Sequence, residues 1–166
     1  MCGIAGILNV TPAVSGPIPE QALDAMVSAL AHRGPDGEGR HSVLGVALGM
    51  RRLSIIDVEG GDQPIWNEAE SMCVVFNGEI YNYVELLQEL RSGGHSMRTR
   101  SDTEAIIHAY EDDQVSFATR LRGMFAIAIY DRERRQLTLA RGFGYRQAGY
   151  GARVGERLVV RADEGR

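Results

Sequence analysis

The chain has 166 residues, 44% of them hydrophobic and 24% charged, which suits one globular domain with a real core and excludes disorder or a second catalytic domain. Its formal charge of −4 supplies no basic face for phosphate backbones, so nucleic acid is not an expected partner. The start Met-Cys-Gly-Ile-Ala-Gly-Ile-Leu lacks the basic region and apolar stretch of a signal peptide, and no apolar run reaches spanning length, so no membrane is expected and the cytoplasm is the expected compartment.

In chain order, Cys2 to Val10 is apolar and ends at Thr11-Pro12, which predicts a buried first strand and then a loop. From Pro19 to Ala31, Leu23, Met26, Val27 and Leu30 recur at spacings of three and four, the pattern of a helix with one apolar face. His32 to Gly39 reads HRGPDGEG and predicts an ordered loop. Strands are expected around Val43 to Met50 and Ser54 to Val58, and again over Ser71 to Phe76, the last stopping at a tight turn on Asn77-Gly78. Asn82 is a candidate cap for a helix from Tyr83 to about Leu90. Ser101 with Glu104 forms a capping-box pattern for a helix through Tyr110. Met124 to Tyr130 and Gln136 to Ala140 read as strands joined by the charged turn Asp131 to Arg135.

The two cysteines, Cys2 and Cys73, stand far apart, and His32, His41, His95 and His108 show no ligand spacing, so neither a disulfide framework nor a metal is expected. Cys2 follows the initiator methionine. Removal of Met1 would leave one residue carrying both a thiol and a free amine whose reference pKa is about 7.7 to 8.0, a nucleophile and base in one. Taken alone, a second-position cysteine is more often an inert, partly buried apolar residue.

The wider context is an ordered set of motifs: CGIAG at Cys2, HRGPD at His32, RLSIID at Arg52, NGEIYN at Asn77 and SDTE at Ser101. With them the sequence resembles the class II glutamine amidotransferases, and within these the glutaminase domain of the asparagine synthetases, over about Met1 to Arg141. The resemblance implies an α+β fold, the four-layer αββα sandwich of the N-terminal nucleophile hydrolases. It implies glutamine as the substrate, with Cys2 as the attacking thiol and a γ-glutamyl thioester that is hydrolysed after ammonia leaves. By the same resemblance the Asn77 side chain and the Gly78 backbone N–H form the oxyanion hole, Arg52 holds the substrate carboxylate, and Asp102 with Glu79 accepts from the ammonium. Arg33 and Asp36 would order the loop beside the nucleophile. Each residue also has an ordinary reading: a turn for Asn77-Gly78, surface charge for Arg51 and Arg52, a favourable helix-start carboxylate for Asp102, and core for Cys73.

Beyond Ala140 the family ending, Arg-Asp-Arg and a Lys-Pro-Leu-Tyr-Tyr segment, is replaced by Arg141 to Gly151; Ala152 to Val159 again resembles the family's final strand before a second departure at Val160 to Arg166. A reading-frame disruption would produce that alternation. The family's synthetase half, which would bind ATP and magnesium and consume the ammonia, has no counterpart in these residues, so no cofactor is expected here and a separate synthetase domain or subunit is the implied partner. The alternatives are a non-catalytic glutamine-binding or regulatory domain and an inactive truncated product.

Overall fold

The computed structural model describes residues 2–9, 16–43, 45–54, 60–142, 147–154 and 157–164, with backbone alone for 115, 147–154 and 157–164. Two antiparallel sheets organise it. The first, in the order β2 (Gly37–Val43), β3 (Val46–Arg52), β1 (Gly3–Asn9), β9 (Arg157–Glu164), β8 (Gln147–Val154), places the N-terminal strand at its centre. The second runs β4 (Ile65–Trp66), β5 (Met72–Ile80), β6 (Gly123–Asp131), β7 (Gln136–Arg141). Helix α1 spans Glu20–Ala29, α2 Tyr83–Ser92 and α3 Asp102–Asp113, followed by a 3-10 segment over Gln114–Arg120.

The period-two alternation of strand side chains sorts the core into three interfaces and so gives the layer order. Ile4, Val46, Leu48 and Met50 of the first sheet meet Cys73, Val75, Ala126, Ala128 and Tyr130 of the second. The opposite face of the first sheet, at Ile7 and Ala47, packs on Leu23 and Val27 of α1. The opposite face of the second, at Val74, Phe76, Phe125, Ile127 and Ile129, packs on Leu86, Leu90, Ile106 and Ile107 of α2 and α3. The result is helix, sheet, sheet, helices: the four-layer αββα sandwich expected from the motifs. Among the described residues no helix is long and apolar enough to cross a membrane.

Several local expectations need correction. The loop expected through Gly39 ends at Gly37, where β2 begins to pair with β3, Gly37 opposite Arg52 and Gly39 opposite Met50. Gly39 is there for close approach, since a Cβ would lie 1.6 Å from the Gln63 carbonyl oxygen. The strand expected over 43–50 is two strands, Val43 closing β2 and Val46 opening β3; Gly45, at φ 87°, supplies the reversal. Of the strand expected over Ser54 to Val58, Ser54 is not in a strand and the remainder lies outside the described residues.

Asn77-Gly78 is not a turn. β5 continues through it to Ile80, pairing Asn77 with Ala126 and Gly78 with Phe125. Gly78 sits at φ 149°, and a Cβ there would fall 1.9 Å from the Met124 carbonyl oxygen, so a close strand approach requires the glycine. Asn82 makes no side-chain cap on α2; its amide bonds the Arg120 carbonyl and the Arg122 N–H across the fold. Ser101 does cap α3, accepting from Thr103 N, but Glu104 does not complete a capping box and instead accepts from Arg98 N, Thr99 N and the Thr99 hydroxyl. The final strand expected over Ala152 to Val159 is two, β8 ending at Val154 and β9 beginning at Arg157.

Candidate active site

Cys2 enters the site because β1, which it precedes, is locked between β3 and β9. Among the described residues its thiol is engaged by Leu53: the Leu53 N–H donates to Sγ at 3.4 Å and the thiol donates to the Leu53 carbonyl at 3.7 Å. Behind it, Arg33 Nη2 donates to the Cys2 carbonyl at 3.4 Å. The Asp36 carboxylate accepts from Ser54 N at 2.9 Å, while Asp36 N donates to the Arg52 carbonyl at 3.1 Å. The HRGPD segment is thus tied to residues 52–54, which hold the thiol.

Alternation along β3 separates the two arginines. Arg51 turns toward the α1 side, pairing with Glu38 at 2.9 Å and donating to the Val27 carbonyl. Arg52 points inward, 5% exposed, its Nη1 2.8 Å from an Asp62 carboxylate that is itself open to solvent. A buried planar guanidinium suits fork-like recognition of a carboxylate.

Asp102 opens α3 and is buried. Its Oδ2 accepts from Ile80 N at 3.2 Å, and Ser101 Oγ lies 3.5 Å from Oδ1. Burial holds its carboxyl above the ordinary carboxylate value, despite hydrogen bonds from Ile80, Thr103 and Ser101 that pull the other way. Glu79, exposed, follows Gly78 on β5. The side chain of Asn77 is fully buried, and neither its amide nitrogen nor its oxygen finds a hydrogen-bond partner among the described residues. Asn77 shares the face of β5 that carries Cys73 and Val75, the inter-sheet layer against which Cys2 also packs.

One cavity collects most of these groups: Cys2, Arg52, Gly78, Glu79 and Asp102 all line it. Asn77, Arg33 and Asp36 do not. A thiol, a guanidinium and two carboxylates around one space are the groups that could receive an amino acid presenting a carboxylate, an ammonium and an electrophilic side chain. A family model described as "Glutamine amidotransferase domain" matches residues 1–164. The chain belongs to that family.

Among its relatives, two asparagine synthetases (glutamine-hydrolysing) of Bacillus subtilis, numbered 1 and 2, are each 42% identical over 90% of this chain. A probable asparagine synthetase of Dictyostelium discoideum is 39% identical over 85%. The chain spans only 24%, 20% and 25% of those three proteins, respectively. Among solved structures, glutamine phosphoribosylpyrophosphate amidotransferase from B. subtilis superposes with a TM-score of 0.75, covering 96% of this chain and 41% of that one. At 21% identity that likeness speaks for the fold.

The cavity of this amidotransferase domain also contains Gln63 and Met124, which lie in no motif, and Leu53 and Thr103, to which their motifs gave no role. Leu53 belongs to RLSIID and Thr103 to SDTE, and that membership is the signal that could have found them. Away from the cavity the fold brings together two histidines whose spacing carried no pattern. His95 and His108 stack with ring centroids 4.7 Å apart, beside Glu68. His108 Nδ1 lies 2.7 Å from Glu111, and His95 Nε2 2.9 Å from Asp112. Cys73 is fully buried and burial pushes its thiol up to about 12, the property of a core residue.

Proposed function

We propose that this domain hydrolyses glutamine to glutamate and ammonia, the glutaminase half-reaction of an asparagine synthetase, through a thioester at Cys2. The observation that carries this is the shared cavity in which Cys2, Arg52, Glu79 and Asp102 meet, a thiol with complementary charges for an α-amino acid.

In this reading Met1 is removed, and the free α-amine of Cys2 takes the thiol proton. The thiolate forms a C–S bond to the side-chain carbonyl carbon of glutamine. The resulting oxyanion takes hydrogen bonds from the Asn77 amide, which no described residue occupies, and from the Gly78 backbone N–H. Collapse breaks the C–N bond, the ammonium of Cys2 returns its proton to the leaving nitrogen, and ammonia departs. Water then attacks the thioester, releasing glutamate and restoring the thiol. Arg52 and Asp102, with Glu79, hold the carboxylate and ammonium that do not react; Arg33 and Asp36 keep the neighbouring loop in place.

We extend the proposal to a synthetase domain or subunit as the consumer of the ammonia, because the aligned region is only 20% to 25% of the matched relatives' length. ATP and magnesium would act there, and the compartment would be the cytoplasm. The decisive experiment measures ammonia release from glutamine by the wild-type chain and by Cys2→Ala, with intact mass recorded for both. Turnover that survives in Cys2→Ala refutes the mechanism, and turnover by protein still carrying Met1 refutes the role of the amine.

A further inference from the structure

We infer that Gln63 is a positioning residue for glutamine hydrolysis, coupling the strand that bears Asn77-Gly78 to the helix start that bears Asp102. The inference rests on the glutaminase reading for its catalytic meaning and on geometry for its existence. Gln63 is buried, lines the cavity, and occupies both ends of its side-chain amide. Its Oε1 accepts from the Phe76 backbone N–H at 2.6 Å, and its Nε2 donates to Thr103 Oγ1 at 3.2 Å. A backbone N–H can only donate, so the amide orientation is fixed by chemistry.

The reason for a side chain here lies in the sheet. β4 covers β5 for only two residues, Ile65 opposite Val74 and Trp66 opposite Cys73. Continued outward, that register sets Gln63 opposite Phe76, beyond the end of the β4 ladder. The glutamine amide there stands in for the missing strand partner, satisfying a buried N–H that would otherwise be orphaned. Phe76 immediately precedes Asn77, and Thr103 immediately follows Asp102. One planar amide therefore spans the gap between the proposed oxyanion donors and the proposed ammonium acceptor, two groups on separate elements whose relative placement must hold to a fraction of an ångström for efficient chemistry.

The test uses the full chain with Gln63→Met, which keeps the side chain's length but offers neither a comparable acceptor nor a donor. Gln63→Glu is the conservative variant: it still accepts from Phe76, and the Thr103 hydroxyl can donate to its second oxygen. Thr103→Val removes the helix-side contact alone. Amide hydrogen exchange at Phe76 should accelerate in Gln63→Met. Its kcat for ammonia release should fall about ten- to a hundred-fold, with Gln63→Glu recovering most of the loss, and Thr103→Val should act chiefly on the glutamine KM. Unchanged exchange at Phe76 in Gln63→Met overturns the clamp whatever the turnover. Faster exchange with unaltered kcat and KM overturns the positioning role and leaves a purely structural contact. A wild-type chain without turnover removes the glutaminase reading instead, and the exchange measurement alone then decides whether Gln63 holds β5 to α3.

Discussion

Arg52 and Cys2 are linked through a single residue: Leu53, next in the chain after the buried arginine, presents both its N–H and its carbonyl to the Cys2 sulfur. The cation proposed for the substrate carboxylate and the proposed nucleophile are therefore registered by the same stretch of backbone at the end of β3. Arg52→Ala removes a buried charge, and truncating one partner of a charge pair costs about 2 to 5 kcal/mol. The KM for glutamine should rise by orders of magnitude. Arg51→Ala, on the opposite face with Glu38, should leave it nearly unchanged. Equal effects in steady-state kinetics would defeat the assignment.

Asp102 gives a prediction in which stability and function move in opposite directions. Burial raises its carboxyl pKa in the folded chain, so folding favours the protonated form, and its contribution becomes unfavourable as pH rises through the folded value. Asp102→Asn keeps an acceptor for the Ile80 N–H without a buried charge. At neutral pH its thermal midpoint should be no lower than that of the wild type, while its glutamine KM rises sharply. In the wild type kcat/KM should fall as pH drops through the raised carboxylate pKa. A pronounced loss of stability in Asp102→Asn would count against this account.

The Asn77 side chain donates and accepts nothing among the described residues, so its truncation forfeits no observed hydrogen bond. Asn77→Ala should change the unfolding free energy by no more than about 1 kcal/mol, since relief of an unsatisfied amide offsets the lost packing. Loss of one oxyanion donor should lower kcat about 10²- to 10³-fold. Denaturant titration and single-turnover kinetics on one preparation separate the two effects. A kcat that stays within a few-fold of wild type would exclude the side chain from the oxyanion hole.

The cluster on α3 sets a pH window for stability. Burial works against charge on His108, but the surrounding Glu104, Glu111 and Glu68 carry it up to about 9. Glu104 is likewise opposed by burial, yet His108, Thr99 and the N–H of Arg98 bring it down to about 2. The histidine's contribution is complete below its unfolded value of about 6.5 and lost on rising through the folded value; that of Glu104 is complete above about 4.3 and lost on falling through its own. Urea midpoints should therefore plateau between those limits and decline on both sides. His108→Gln should flatten the alkaline decline toward pH 9, and an unaltered decline would place its origin elsewhere.

Much of this architecture was legible in the sequence because it is local. The three-and-four spacing of Leu23, Met26, Val27 and Leu30 predicts α1, and the unbroken apolar run from Met124 to Tyr130, buried on both faces, reads as a strand without its partners. Asn77-Gly78 misleads because a residue pair suited to turns is drawn into β5 by β6, a strand more than forty residues later, and the glycine serves a close approach instead. Gln63 was invisible for a related reason: a side chain replacing a backbone partner leaves no periodicity. His95 and His108 meet only after the segment leading into α3 folds back. The cavity residues stood out through motifs rather than through any pattern of burial or charge.

The placement of β1 between β3 and β9 couples the two ends of the described chain, with Ile4 paired to Ala162 and Leu8 to Leu158. Cutting the chain before residue 157 would turn the strand behind the thiol into an exposed edge, open to pairing with another molecule. Because a β ladder is built from backbone groups that every residue except proline can supply, the tail can supply this support through a wide range of side chains. Sequence drift in that tail is therefore tolerable at the reaction centre as long as it introduces no proline into the ladder and preserves the length needed to reach Ile4.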